Sequence, residues 1–104
     1  MSTGARLQRA YDESSEAMRA VLETLASRPG ERIPVTELTE AAGLERGQLP
    51  GVLGAFGRRW AHRYRQGEAN LPFKSYRSIA AGRTVYEMDA AVAAVLTRVQ
   101  ATAR

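Results

Sequence analysis

Apolar residues recur at helical spacing in four stretches of the chain, which are separated by glycine, proline and short polar segments. In the first stretch the spacing is three, four or seven residues, which predicts an amphipathic helix with Leu7, Tyr11, Met18, Leu22 and Leu25 on its apolar face. This helix is expected to end near Arg28, because Pro29 disfavours helical backbone at the residue before it and Gly30 follows. The residues before Asp12 form either a tail or an extension of the helix.

A short strand and a short helix come next. Arg32–Val35 is β-like but contains a proline, so it is at most an edge strand. Thr36 is expected to be the N-cap of a helix through Ala42. Gly43 would close that helix in the left-handed conformation, and Leu44 would be the buried residue of a tight turn.

The third helix is predicted from Gly47 to about Tyr64. Pro50 has no N–H group and is tolerated only in the first turn, so the N-cap is expected at Arg46 or Gly47. The inner face follows a regular helical pattern, made by Leu49, Val52, Leu53, Phe56 and Trp60. Phe56 and Trp60 are therefore expected in the core rather than as stacking platforms for single-stranded nucleic acid, a role also open to Phe73.

The outer face of the third helix is unusually poor in side chains. It consists of Gly47, Gly51, Gly54, Ala55, Arg58 and His62. Each glycine inside a helix costs about 1 kcal/mol relative to alanine, so a helix with several of them usually gains from a close approach of its backbone to another surface. That surface is either a neighbouring helix or the backbone of DNA.

The last third of the chain predicts a β-hairpin and a final helix. Phe73–Ile79 and Thr84–Met88 are rich in aromatic and branched residues, and a glycine lies in the turn between them. Tyr76 and Tyr86 are equally compatible with core and surface. Asp89 is expected to cap a helix whose inner face is Val92, Val95, Leu96 and Val99.

Positive charge is concentrated in one central segment. The chain has a formal net charge of +4. Residues 58–83 contain seven basic residues and one acidic residue, a net charge of +6, whereas the rest of the chain has a net charge of −2. A local excess of this kind favours a polyanionic partner through counterion release.

The composition argues against several other classes of protein. The 104 residues suit one domain, with 1–13 as an N-terminal helical extension or tail and 14–99 as the domain body. There is no cysteine, and the only histidine, His62, has no evident carboxylate partner, so neither a metal site, a cofactor nor an enzyme is expected. Charges recur every few residues in the first thirty positions, which predicts neither a signal peptide nor a membrane span and favours a cytoplasmic protein.

The order of the predicted elements is typical of a known fold. The segment Ile33–Leu44, with its strand, threonine, short helix and Gly-Leu turn, and the hairpin Phe73–Met88 resemble the winged helix-turn-helix domains of bacterial transcription regulators. The likeness covers about residues 14–99. It implies a mainly α-helical fold with a small β-hairpin: helix, short strand, helix, helix, two-stranded wing, helix.

The resemblance assigns expected roles to individual residues. The third helix would enter the major groove, where arginine reads guanine and glutamine reads adenine. The residues expected at the bases are Arg46, Gln48 and Gly51. Those expected at phosphates or in the wing are Thr36, Arg58, Arg59, Arg63, Arg65, Lys74, Arg77 and Arg83.

The expected partner is double-stranded DNA, which would place the protein at the nucleoid. A homodimer through the first and last helices is also expected. The alternative is a winged-helix module that binds an acidic protein partner.

Overall fold

A computed structural model describes residues 3–64, 71–78 and 83–103. Its helices are α1 (Thr3–Asp12), α2 (Glu16–Ser27), α3 (Val35–Ala41), α4 (Leu49–Arg59) and α5 (Ala90–Ala103). A π-helical turn, Trp60–Tyr64, continues α4. The strands are β1 (Ile33–Pro34), β2 (Lys74–Ser78) and β3 (Arg83–Glu87).

The N-terminal part of the chain forms two helices, so the apolar stripe that the sequence assigns to one helix is divided between α1 and α2. Two adjacent serines separate the two helices by bonding to the helix ends on either side. The Ser14 hydroxyl donates to the carbonyl of Ala10 in α1 at 2.6 Å. Ser15 is the N-cap of α2, and its hydroxyl oxygen accepts from the Met18 N–H at 3.2 Å. Residues 3–12 are accordingly a separate helix, and neither a tail nor an extension of α2.

Helix α1 belongs to the main core. Leu7, Ala10 and Tyr11 are buried in the same apolar cluster as the inner faces of α2, α4 and α5. The apolar stripes of the first and last helices are thus used within one chain. Among the described residues, the one large hydrophobic side chain that is exposed is Leu71.

Aromatic residues from α4, its π-helical turn and the sheet form the centre of this core. Phe56 stacks on Trp60 and on Phe73, with ring centroids 6.0 and 5.9 Å apart, which confirms the expectation that Phe56 and Trp60 are core residues. Tyr86 packs edge-on against Phe73 and is half-buried, and this burial raises the pKa of its phenol above the ordinary value. Tyr76 is also half-buried, with the Arg32 guanidinium 4.6 Å above its ring.

The three strands form an antiparallel sheet in the order β1-β3-β2. β1 lies at an edge, where its proline is tolerated, as the sequence predicts. The predicted hairpin is confirmed, with Tyr76 opposite Val85, although 79–82 in its turn lie outside the described residues. Asp89 caps α5 as predicted, because its carboxylate accepts from the Val92 N–H at 2.9 Å.

The helix-turn-helix segment differs from prediction at its helix starts. Pro34 is the N-cap of α3, which begins directly after β1, so Thr36 lies inside the first turn and is not the cap. Gly43 has the predicted left-handed conformation, with φ +68°. Leu44 is half-buried rather than buried and packs against the core. The N-cap of α4 is Gln48, later than expected.

The observed cap Ser15 and the predicted cap Thr36, which the structure places inside a helix, give a direct test of this backbone. Replacing Ser15 with alanine removes the side-chain bond to the first turn of α2, so we expect the free energy of unfolding to fall by about 1 kcal/mol. The matched change Thr36→Ala removes no cap, and we expect it to lower stability by less than half as much. Urea denaturation of both variants measures the difference. An equal or larger loss for Thr36→Ala would contradict the position of the α3 start.

Candidate nucleic-acid interface

A β-turn, Glu45–Gln48, sets the start of α4. The Gln48 N–H donates to the Glu45 carbonyl at 3.1 Å, and the Glu45 N–H donates to the Gln48 side-chain Oε1 at 2.8 Å. Gly47 occupies the third position with φ +89°, a conformation that a type II turn requires there and that glycine adopts without strain. This positive φ excludes Gly47 from the helix, and for this reason the helix begins later than the sequence suggests.

Helix α4 has one buried face and one open face. Leu49 and Phe56 are fully buried, whereas Pro50 and Gly51 on the other side are exposed. A Cβ atom added to Gly51 would meet no atom within 4 Å, and one added to Gly54 would meet only the end of the Arg58 side chain, at 3.6 Å. The glycines therefore do not serve close packing on a neighbouring helix within the described chain. Of the two sequence-based explanations for them, approach to a surface outside the chain is the one compatible with this geometry.

Two grooves flank the turn before α4. One, of about 560 Å³, runs beside α4 and is lined by residues that include Ser15, Gln48, Gly51 and Arg59. The other, of about 740 Å³, lies between α3 and α4, with Thr36, Thr39, Arg46 and Pro50 among its lining residues. Leu44 and Gly47 border both grooves. Of the three predicted base-reading residues, Arg46 and Gln48 lie in this turn, and Gly51 follows in the first turn of α4 beside the groove that Gln48 also lines.

The predicted phosphate-binding residues are distributed over α3, α4 and the sheet. Arg58, Lys74 and Arg77 are exposed and pair with no carboxylate of the described residues. Arg83 and Thr36 are joined, because the guanidinium donates to the threonine hydroxyl at 3.1 Å across 47 positions of sequence.

Arg59 differs from the other arginines of this set. It is half-buried, and its Nε atom is buried without a hydrogen-bond partner among the described residues. The Arg63 side chain and all of Arg65 lie outside the described part of the structure, as does most of the predicted wing tip 80–83.

Other arginines in the described chain form ion pairs. Arg9 pairs with Glu13 at 3.3 Å, and Arg32 pairs with Glu87 at 3.5 Å. Arg28 pairs with two glutamates, Glu31 and Glu37. The contrast leaves Arg46 and Arg58 on α4 and its entrance as exposed cations available to an external anion.

Glu45, whose backbone N–H orients the Gln48 side chain, has no role predicted from the sequence. The signal was present in the order Glu-Arg-Gly-Gln before a proline-containing helix start, since glycine at the third position of four indicates a turn. Ser15 and Thr39, which line the grooves, had no such signal, because tertiary packing brings them there.

The described residues can also be compared with the requirements of a metal site, a catalytic histidine and a membrane-spanning helix. They contain no group of three potential metal ligands. His62 is exposed on the π-helical turn. No helix within the described ranges combines the length and apolar character needed to cross a bilayer.

Comparison with known proteins places the chain in a family and a fold. The family profile of DUF6416 matches residues 5–103. The chain belongs to this family, which is described as a family of unknown function. No curated protein sequence matches the chain.

Among solved structures, the PcaV transcriptional regulator from Streptomyces coelicolor is similar, with a TM-score of 0.57 and 22% sequence identity. The alignment covers 93% of this chain and 69% of that one. With this likeness and the observed order of helices and strands, the fold is a winged helix-turn-helix, as predicted.

The open face of α4 predicts an unusual response to substitution. Gly51→Ala adds a methyl group in open space and improves helix propensity, so we expect the free energy of unfolding to rise by about 0.5–1 kcal/mol. The control, Gly43→Ala, places a side chain at φ +68° and should destabilise by about 1–2 kcal/mol. Chemical denaturation measures both. Destabilisation by Gly51→Ala would mean that this face packs against part of the chain.

Proposed function

We propose that this protein is a small bacterial transcription regulator that binds double-stranded DNA, with α4 in the major groove. The observation that carries the proposal is the open glycine face of α4, which lies next to exposed arginines without carboxylate partners among the described residues. The fold similarity to a transcriptional regulator supports it.

The glycines of α4 support a close approach of DNA to the helix backbone. Gly51 and Gly54 together lower helix stability by about 2 kcal/mol relative to alanine. No contact within the described chain requires a glycine at position 51. A bound duplex supplies the missing reason, because a helix without side chains on one face can lie deeper in the groove. Arg46 and Gln48 then lie at the end of the helix that contacts base edges.

Phosphate contacts come from the surrounding basic residues in this proposal. Arg58 near the end of α4 and Lys74 and Arg77 on β2 supply positive charge. The Thr36 hydroxyl accepts from Arg83, which leaves its hydrogen to donate to a phosphate oxygen. Arg59, Arg63 and Arg65 extend the same basic segment of the sequence.

Other parts of the expected biology stay predictions. A homodimer through the first and last helices would use the exposed outer face of α5, where Ala91, Ala94 and Arg98 lie, since the apolar stripes of α1 and α5 are buried within one chain. We propose a non-enzymatic role in the cytoplasm, at the nucleoid, because the proposed partner is DNA.

The salt dependence of binding tests the proposed phosphate contacts. If four to six basic residues contact phosphates, the logarithm of the binding constant should fall with the logarithm of salt concentration with a slope of roughly −4 to −5 per protomer. Arg58→Ala should weaken binding to all duplexes similarly and reduce the slope by about one. Arg9→Ala, a matched loss of charge on α1, should leave the slope unchanged. Fluorescence anisotropy titrations at several salt concentrations measure the slope for each protein. Equal slopes for Arg58→Ala and the unaltered protein would refute the phosphate contact.

A bulky residue on the open face of α4 tests the docking surface. Gly51→Leu should abolish duplex binding without lowering the melting temperature, because its side chain extends into the space that the DNA occupies. Ala90→Leu, a similar increase in size at an exposed position of α5, should leave binding intact. A folded Gly51→Leu variant that binds DNA normally would refute this placement. Failure of the unaltered protein to bind any duplex would favour an acidic protein partner.

A further inference from the structure

The side-chain amide of Gln48 has a determined orientation. Its Oε1 atom accepts a hydrogen bond from the Glu45 backbone N–H at 2.8 Å. Only the oxygen of an amide accepts from an N–H group, so the amide NH2 lies on the opposite side. Gln48 is exposed, and no acceptor in the described part of the chain bonds to this NH2 group.

From this geometry we infer that Arg46 and Gln48 at the start of α4 both direct hydrogen-bond donors to a base edge, and that the helix therefore selects guanine over adenine in the major groove. The inference rests on the proposed function. Arg46, the neighbour of Gln48 around the turn, has donors and no acceptor. The two side chains thus present the same kind of group to a base edge.

The major-groove edges of the bases differ in the way that this selection needs. Guanine has two acceptors, N7 and O6, whereas adenine has one acceptor and one donor. A glutamine that reads adenine uses its oxygen and its NH2 group together, whereas one of the two lone pairs of the Gln48 oxygen is engaged by the Glu45 N–H, so an adenine would have to share that oxygen with the backbone. Thymine has a single acceptor beside a methyl group, which makes guanine the better match. In this inference Gln48 contacts guanine, whereas the sequence-based expectation was adenine.

The open face of α4 limits the number of bases that this helix can read through hydrogen bonds. Beyond Gln48, the exposed positions Pro50 and Gly51, and the half-buried Gly54, have no side chain that forms hydrogen bonds. Hydrogen-bonded readout by α4 is confined to one or two adjacent base pairs near its start. Most of the affinity then comes from phosphates and groove shape, which are common to many sequences.

Selection of duplexes from a random library tests the inference, using the full chain and two variants. The unaltered protein should enrich guanine at one or two adjacent positions. In Gln48→Glu the carboxylate still accepts from the Glu45 N–H, but its second oxygen is an acceptor, so the preferred base at one position should change from guanine to cytosine. Gln100→Glu makes the same change of charge on α5 and should keep the guanine preference.

A base analogue then tests the acceptor itself. In the enriched duplex, 7-deazaguanine removes N7, and we expect the unaltered protein to bind about fivefold to tenfold more weakly. Enrichment of adenine, an unchanged preference in Gln48→Glu, or normal binding to the 7-deazaguanine duplex would overturn the inference while DNA binding stands. Absence of binding to every duplex would overturn the proposed function and the inference with it.

Discussion

The stacking of Phe56 between Trp60 and Phe73 is the interaction on which the orientation of α4 depends. Phe56 is fully buried, and the angle between its ring plane and that of Trp60 is 23°, whereas the angle to the ring plane of Phe73 is 29°. Each aromatic pair of this kind contributes about 0.5–1.5 kcal/mol beyond the burial of its area. Because Phe73 precedes β2 and also packs on Tyr86 of β3, the stack links α4 to the sheet. The Arg6 guanidinium, 5.7 Å from the Trp60 ring, extends the link to α1.

Because one face of α4 packs into this aromatic stack, the opposite face of the helix points away from the core. Position 51 lies on the outward side, where a side chain would meet nothing. The same rotation places the arginine at position 58 in solvent and the arginine at position 59 against the body of the protein. A basic segment that is continuous in sequence is thereby divided into exposed cations, which an anion can reach, and a half-buried one. The candidate interface is thus a consequence of core packing as much as of charge.

Hydrogen bonds between residues that are close in sequence determine where the helices begin. The hydroxyls of Ser14 and Ser15 separate α1 from α2, and this break allows α1 to pack on the core instead of extending α2. The two bonds between Glu45 and Gln48 close the turn before α4 in the same way. That turn has a second effect, since the bond that closes it also decides which end of the Gln48 amide faces outward. Local backbone chemistry and the selectivity of the proposed interface are coupled at this residue.

Periodic and local features could be read from the sequence alone. Helical spacing predicts the inner faces of α2, α4 and α5, and the aromatic and branched residues predict the hairpin. The position of Gly43 and Asp89 beside a helix predicts the left-handed conformation of the first and the capping role of the second. Each of these depends on residues within a few positions of one another, where backbone geometry alone restricts the outcome. The tertiary structure decided that α1 joins the core, that Thr36 pairs with Arg83 rather than capping a helix, and that the glycine face of α4 is open. These features depend on residues far apart in sequence, whose proximity arises only when the helices and the sheet pack together.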